Sequence, residues 1–244
     1  MTKKTTIVLF YCGVAAICAA ILVVVNFLIV PRMKAQADNT AAFQFKGQQT
    51  EEKWFPIERD LTGTIQTGAA AKLSDLRGKV WVIAEFFAVC PHCALRNGTE
   101  LRALHEEFGD HPEFHIVCVS VDPEADDQEK LKDYAGALGA DADGWWFFNA
   151  GDENTTHAYL ENTLKFFGIR ERTDPADIEA NGRFQHDMGL ILVDRDFNVI
   201  GKWPLADARS EDGRKFNPGL YEELKTEMMG RIRTELEKNE SPGI

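Results

Sequence analysis

A nearly continuous apolar run, KVWVIAEFFAV at residues 79–89, most constrains what this chain can fold into. Apolar residues without alternation are typical of a strand that is buried on both faces of a sheet. Residues 94–108, which begin four residues beyond the run, carry apolar side chains at helical spacing. A buried strand followed by an amphipathic helix indicates a central sheet whose faces are covered by helices.

Strand and helix alternate along the rest of the chain. The pattern predicts strands over residues 114–122 and 144–150, and helices over residues 127–138, 155–169 and 217–238. Two further strands, 188–194 and 198–203, are separated by three residues, which indicates a hairpin. We therefore expect an α/β fold with a mostly parallel central sheet, a hairpin at its edge and flanking helices.

The first apolar segment, residues 7–30, contains no charged residue. It exceeds the roughly 20 residues that a helix needs to cross a bilayer, and it is longer than the apolar region of about 7–15 residues in a cleaved signal peptide. We therefore expect an N-terminal transmembrane helix, with the main domain on the exported side of the membrane, in the periplasm or its equivalent. The AQA sequence at residues 35–37 leaves cleavage open as an alternative.

Composition divides the chain into an anchor (1–34), a polar linker without periodicity (35–60) and a folded domain (61–244). The net charge is −12, and four of the 27 basic residues but no acidic residue precede residue 35, so the domain itself is strongly acidic. An acidic surface repels phosphate backbones, and we expect no nucleic-acid partner.

Cys90 and Cys93 directly follow the first buried strand and open the next helix. Sites in such sheets gather at the carboxyl ends of strands, and a helix N-terminus favours a thiolate. The pair therefore indicates a redox or metal centre. A structural disulfide is the weaker interpretation, because so short a loop constrains the unfolded chain little. Cys118, inside the second strand, is expected to be a core residue and not a further ligand.

Glu85 interrupts the first strand five residues before Cys90. A carboxyl group on a buried strand is costly unless it is protonated or paired. Two interpretations remain open: Glu85 relays a proton to Cys93 during disulfide exchange, or it faces a wet edge of the sheet.

From about Leu61 to Trp203 the chain resembles the Sco/SenC family of membrane-anchored proteins with a thioredoxin-like fold. The matching stretches are KLSDLRGKVWVIAEFF, VCVSVDPEADDQEKLKDYAGALG and FQHDMGLILVDRDFNVIGKW. That family is associated with assembly of the dinuclear copper site of cytochrome c oxidase. The resemblance implies that copper is bound by Cys90, Cys93 and His186, the last at the end of a long polar loop over residues 170–187. It also implies a partner, either the copper-binding subunit of the oxidase or another exported redox protein.

The cysteine pair departs from the family pattern. Three residues usually separate the family's cysteines, with a proline after the second; here there are two, and Ala94 follows. The C-P-H-C sequence looks like the site of the disulfide oxidoreductase DsbA. Oxidoreductases of that kind place a cis-proline before the strand that faces the cysteines, but no proline lies between Pro175 and Pro204.

Three main functions therefore stay open, and antioxidant peroxidase activity is a weaker fourth. The first is copper binding, cysteine reduction or both during oxidase assembly. The second is a membrane-tethered thiol–disulfide oxidoreductase without a metal role. The third is a copper-sensing module that acts through protein contacts.

Overall fold

The computed structural model describes residues 54–88 and 93–238, with residues 93–96 described by their backbone alone. The strands are β1 (Phe55–Pro56), β2 (Thr62–Ile65), β3 (Ala70–Lys72), β4 (Val80–Phe86), β5 (Phe114–Ser120), β6 (Trp145–Asn149), β7 (Arg170–Glu171), β8 (Phe184–Gln185), β9 (Leu190–Val193) and β10 (Asn198–Trp203). The helices are α1 (Cys93–Phe108), α2 (Gln128–Leu138), α3 (Glu153–Asn162), α4 (Pro175–Asn181), α5 (Leu205–Arg209), α6 (Glu211–Phe216) and α7 (Leu220–Glu237), and a 3-10 turn spans Leu73–Leu76.

An eight-stranded sheet in the order β1-β10-β9-β4-β5-β6-β2-β3 forms the centre, and β7 and β8 form a separate ribbon. The prediction of a mostly parallel sheet is wrong. The strands β4, β5 and β6 are parallel to one another, but β9 pairs antiparallel with β4, and β2 pairs antiparallel with β6. The chain reaches β9 at the carboxyl end of β4, where the Asp187 amide donates to Glu85, so β9 runs in the opposite direction to β4.

Two apolar clusters cover the two faces of the sheet, which explains the unbroken apolar run. Val82 packs with Leu104 of α1 and Met228 of α7 on one face. Ile83 packs with Leu160 of α3 on the other face. Successive strand residues point to opposite faces, so a strand covered on both sides needs an apolar residue at every position.

The other predicted elements are largely confirmed. The predicted hairpin is present as β9 and β10, but it does not form the edge of the sheet, because β1 pairs with β10 on its outer side. The helix predicted over 217–238 begins at Leu220. The helix predicted over 155–169 ends at Asn162. Lys165 adopts a positive φ of 60°, and the Phe166 amide donates to the Leu160 carbonyl, so the chain turns away from the helix axis. The predicted loop 170–187 contains β7, α4 and β8.

The predicted transmembrane segment, residues 7–30, lies outside the described residues. Among residues 54–88 and 93–238, no helix combines the length and the apolar character needed to span a bilayer. The end of the predicted linker contacts the sheet, since Phe55 pairs with Val199 of β10 and Ile57 is buried.

Candidate metal and redox site

The candidate site lies at the carboxyl ends of β4 and β5, which run side by side from Val80–Phe114 to Phe86–Ser120. Cys93 is the first residue of α1. Cys90 and the side chain of Cys93 lie outside the described part of the chain. The structure describes the segments that flank the predicted pair, and it places the remaining predicted ligand, His186, beside Glu85 and Phe87.

Asp126 ties the loop after β5 to the segment that leads to the cysteines. Its carboxylate accepts hydrogen bonds from the Ala88 amide at 3.0 and 3.1 Å and from the Ser120 hydroxyl at 2.5 Å. Burial raises the pKa of Asp126 to about 6, although these hydrogen bonds act in the opposite direction. Sequence analysis gave Asp126 no role, although it lies within the SVDPEADD stretch that carries the family resemblance.

Glu85 is 1% exposed, so its interpretation as a residue on a wet edge is wrong. The reason is topological, because β9 and β5 flank β4 on both sides. Its Oε2 accepts a hydrogen bond from the Asp187 amide at 2.8 Å and lies 3.5 Å from His186 Nδ1. Burial raises the pKa of the Glu85 carboxyl above its usual range, and the neighbouring His186 partly opposes this shift.

His186 lies between β8 and β9 with its side chain 4% exposed. Its Nδ1 is 2.8 Å from the carbonyl oxygen of Asp187, and the Phe87 ring packs edge-on against the imidazole at 5.5 Å between centroids. A hydrogen on Nδ1 donates to that carbonyl, and the neutral ring then carries its lone pair on Nε2. Metal-binding histidines commonly donate their other ring hydrogen to a carbonyl or carboxylate in this way.

Asp187 and Lys202 are site residues that sequence analysis missed. The Asp187 carboxylate forms an ion pair with Lys202 and accepts hydrogen bonds from the amides of Phe167 at 2.8 Å and Gly189 at 2.7 Å. The pair depends on the β9–β10 hairpin, which brings β10 beside the turn before β9. In the sequence, Lys202 is a single lysine near the end of a predicted strand, and nothing around it indicates a contact with Asp187.

Cys118 is confirmed as a core residue. It is fully buried as a free thiol, and its sulfur accepts a hydrogen bond from Trp145 Nε1 at 3.3 Å. Burial raises the pKa of this thiol to about 12, which excludes an appreciable thiolate population at neutral pH. Within the described ranges, no three His, Cys, Asp or Glu side chains are grouped as metal ligands. Two of the three predicted ligands are cysteines whose side chains are outside those ranges.

The mixed sheet with flanking helices, and a C-x-x-C sequence between a central strand and the next helix, define a thioredoxin-like protein. The model of the SCO1/SenC family matches residues 49–215, which is more than half of the chain. The chain belongs to the SCO1/SenC family.

Solved structures of Sco proteins share the fold. A SCO1/SenC family lipoprotein from Bacillus anthracis str. Ames has 19% sequence identity and a TM-score of 0.59, covering 76% of this chain and 99% of its own. BsSco, in which a disulfide switch is identified, is a member of the Sco family of cytochrome c oxidase assembly proteins. It has 19% identity and a TM-score of 0.52, and the match covers 73% of this chain and 99% of BsSco. Copper-bound ScoI from Bradyrhizobium japonicum has 19% identity and a TM-score of 0.51, covering 70% and 98%. No curated protein matches the chain.

Proposed function

We propose that this protein binds copper through Cys90, Cys93 and His186 and acts in assembly of the dinuclear copper site of cytochrome c oxidase. Membership of the SCO1/SenC family supports this function, as do copper-bound ScoI and the assembly role of the Sco family to which BsSco belongs. The observation that carries the proposal is the burial of His186 against Glu85 of β4, the strand that leads directly to the cysteine pair.

The proposed ligands suit copper chemically. Thiolates are soft ligands that favour Cu(I), and imidazole binds either oxidation state. The contact of Nδ1 with the Asp187 carbonyl favours the tautomer in which Nε2 can bind a metal. The ring of Phe87 beside His186 limits access of water to this side of the imidazole. The side chains around His186 therefore fit a copper ligand.

A second candidate function is thiol–disulfide exchange, either alongside copper binding or instead of it. It is favoured by the buried Glu85 carboxyl, whose raised pKa suits a proton relay, and by the disulfide switch of BsSco. The Cys90 thiolate would attack one sulfur of a partner disulfide, forming a mixed disulfide and releasing the first partner thiolate. The Cys93 thiolate would then attack the Cys90 sulfur and release the second partner thiolate. This chain gains an internal disulfide, while the partner receives two electrons and two protons and is released as a dithiol.

We further propose that residues 7–30 anchor the protein in the membrane, that residues 35–60 link the anchor to the domain, and that the domain faces the exported side. There it would meet the copper-binding oxidase subunit or another exported redox protein. The match to a SCO1/SenC family lipoprotein supports membrane attachment of this kind of domain.

Copper titration of the reduced full-length chain, in competition with a Cu(I) chelator, tests the first function. Loss of a residue that contacts a ligand without touching the metal lowers metal affinity by roughly 10- to 100-fold. We expect His186→Ala and Cys90→Ser, which each remove a ligand, to lower copper affinity by more than this. His111→Ala is the matched control, because His111 lies before the amino end of β5, whereas the candidate site is at the carboxyl end. Unchanged affinity in His186→Ala would contradict the copper site.

The alkylation rate of Cys90 as a function of pH tests the second function. Cys90 lies shortly before the N-terminus of α1 and two positions from His92 in the sequence, so we expect its pKa to lie below the free value of about 8.5. Cys118 is the internal control, because its buried thiol should remain unmodified in the native chain. An inflection for Cys90 at or above the free value would contradict its role as the attacking thiol.

A further inference from the structure

The carboxylate of Asp187 is fixed from three separate parts of the chain. Its Oδ2 accepts a hydrogen bond from the Phe167 amide at 2.8 Å and contacts the Lys202 ammonium, while Oδ1 accepts from the Gly189 amide at 2.7 Å. The Asp187 side chain is 0% exposed and that of Lys202 is 11% exposed. A carboxylate that is buried with three donors has little freedom to rotate.

The backbone of the same residue contacts both Glu85 and His186. The Asp187 amide donates to Glu85 Oε2 at 2.8 Å, and the Asp187 carbonyl lies 2.8 Å from His186 Nδ1. Any rotation of this peptide segment would therefore move the acceptor of the imidazole hydrogen. The orientation of His186 is thus coupled to the side chain of Asp187.

Lys202 reaches Asp187 through a narrow space. It lies on β10, and its ammonium is 4.6 Å from the centroid of the Phe167 ring. A Cβ atom at Gly189 would lie 2.5 Å from Lys202 Cε and 3.0 Å from Asp187 Oδ1, so the lysine in its observed conformation occupies space that a side chain at residue 189 would need. The ion pair therefore depends on close packing across the hairpin.

We propose that the Asp187–Lys202 ion pair is a positioning device for His186, which holds the imidazole with its Nδ1 hydrogen on the Asp187 carbonyl. Removal of Lys202 leaves a buried carboxylate with only neutral donors, and such a group rearranges or draws in water. The turn that carries His186 would move with it. The predicted effect on copper affinity rests on the proposed function, in which His186 is a copper ligand. The positioning of His186 is a property of the copper-free chain and does not depend on that function.

The test uses the purified full-length chain labelled with ¹⁵N-histidine. Long-range ¹H–¹⁵N spectra distinguish the Nδ1-protonated ring from the Nε2-protonated ring, and His186→Ala identifies the signal. We expect a single Nδ1-protonated form in the wild type and its loss in Lys202→Met, together with a roughly 10- to 100-fold lower Cu(I) affinity. Lys202→Arg should restore most of both properties.

Arg195→Met is the matched control for the loss of an ion pair. Arg195 pairs with Glu113 at the amino ends of β4 and β5, far from His186 along the strands, and also donates to the carbonyls of Glu235 and Leu236. Its loss should therefore leave the His186 signal and copper affinity unchanged. The proposal is overturned if folded Lys202→Met keeps both the wild-type tautomer and an affinity within twofold of wild type.

Two other results, a Lys202→Met variant that does not fold and a His186→Ala variant that still binds copper, can be interpreted separately. If Lys202→Met fails to fold, the double variant Asp187→Asn/Lys202→Met removes both charges and leaves no unpaired one. Its His186 should lose the single tautomer, and a wild-type spectrum in this variant would overturn the proposal. If His186→Ala binds copper as well as wild type, the proposed function fails, but the tautomer of the copper-free chain still decides the positioning role.

Discussion

Asp126 is the residue beside the site whose ionisation has the clearest consequence for stability. It is buried at the end of the loop after β5 and holds the Ala88 amide, two residues before Cys90. The bonds to Ala88 and Ser120 orient the carboxylate but do not compensate fully for its burial, since its pKa is raised to about 6. The segment before the cysteines is therefore held by a group that titrates close to neutral pH.

We predict that this group lowers stability as the pH rises. Because the native pKa of Asp126 lies above its unfolded value of 3.8, the native state binds the proton more tightly. The stabilisation that this proton gives the native state is fully present below about pH 4 and is lost as the pH rises through 6. It changes the free energy of unfolding by on the order of 3 kcal/mol in all. Asp126→Asn should remove this part of the pH dependence.

Urea unfolding of wild type and Asp126→Asn between pH 4 and pH 8 measures the effect. The difference between the two proteins isolates Asp126 from Glu85 and the other groups that titrate in this range. Parallel stability curves for the two proteins would show that Asp126 has an ordinary pKa.

Single residues were predictable only where their chemistry conflicts with their position. Glu85 on an apolar strand and His186 before the hairpin both stood out in the sequence. Their contact did not, because a hydrogen bond such as Asp187–Glu85 joins residues 102 positions apart. The ion pair of Asp187 with Lys202 was not predictable from the sequence either. It depends on how β9 and β10 pack and on the space that Gly189 leaves for the lysine side chain.

The segment from α4 to β8 approaches the site at Gly182. This glycine has φ 80° and ψ 174°, a conformation that is essentially restricted to glycine, and a Cβ atom there would overlap the Phe87 ring at 2.0 Å. The ring of Phe87 in turn packs against His186. One glycine therefore allows the element that leads to His186 to lie against the end of β4.

We predict that Gly182→Ala lowers the free energy of unfolding by about 1–3 kcal/mol, from strain and from displacement of Phe87. Copper affinity should fall as well. Gly139→Ala is the matched control, because Gly139 also has a positive φ but a Cβ atom there would meet nothing within 4 Å. Thermal unfolding and chelator competition measure both effects, and equal results for the two variants would exclude a role for the Phe87 contact.

At the scale of elements, the sequence predicted what is long and periodic. The strands β4 and β5 and the helices α1, α2 and α7 followed from their apolar patterns. The short strands β1 to β3 and the β7–β8 ribbon did not, because pairing with neighbours stabilises them and their own pattern is too brief. Strand direction was also hidden, since β9 is buried at every position like a parallel strand.

At the scale of the whole molecule, the described fold begins well after the apolar segment. Residues 55–56 already pair with β10, and the family match begins at residue 49. The acidic charge of the chain favours solubility of the folded domain.

We predict that removal of residues 1–34 leaves a soluble domain, because both faces of the sheet are covered by residues that the truncation retains. Circular dichroism during urea unfolding should show one cooperative transition. A truncated protein that aggregates without folded structure would place the domain boundary elsewhere.

We propose above that His186 and the two cysteines bind one copper ion. X-ray absorption at the copper edge of the Cu(I)-loaded full-length chain tests it most directly, because sulfur and imidazole nitrogen scatter differently. We predict two sulfur ligands and one imidazole nitrogen in the wild type, and loss of the nitrogen contribution in His186→Ala but not in His111→Ala. A wild-type spectrum with sulfur ligands alone, unchanged in His186→Ala, would contradict the account.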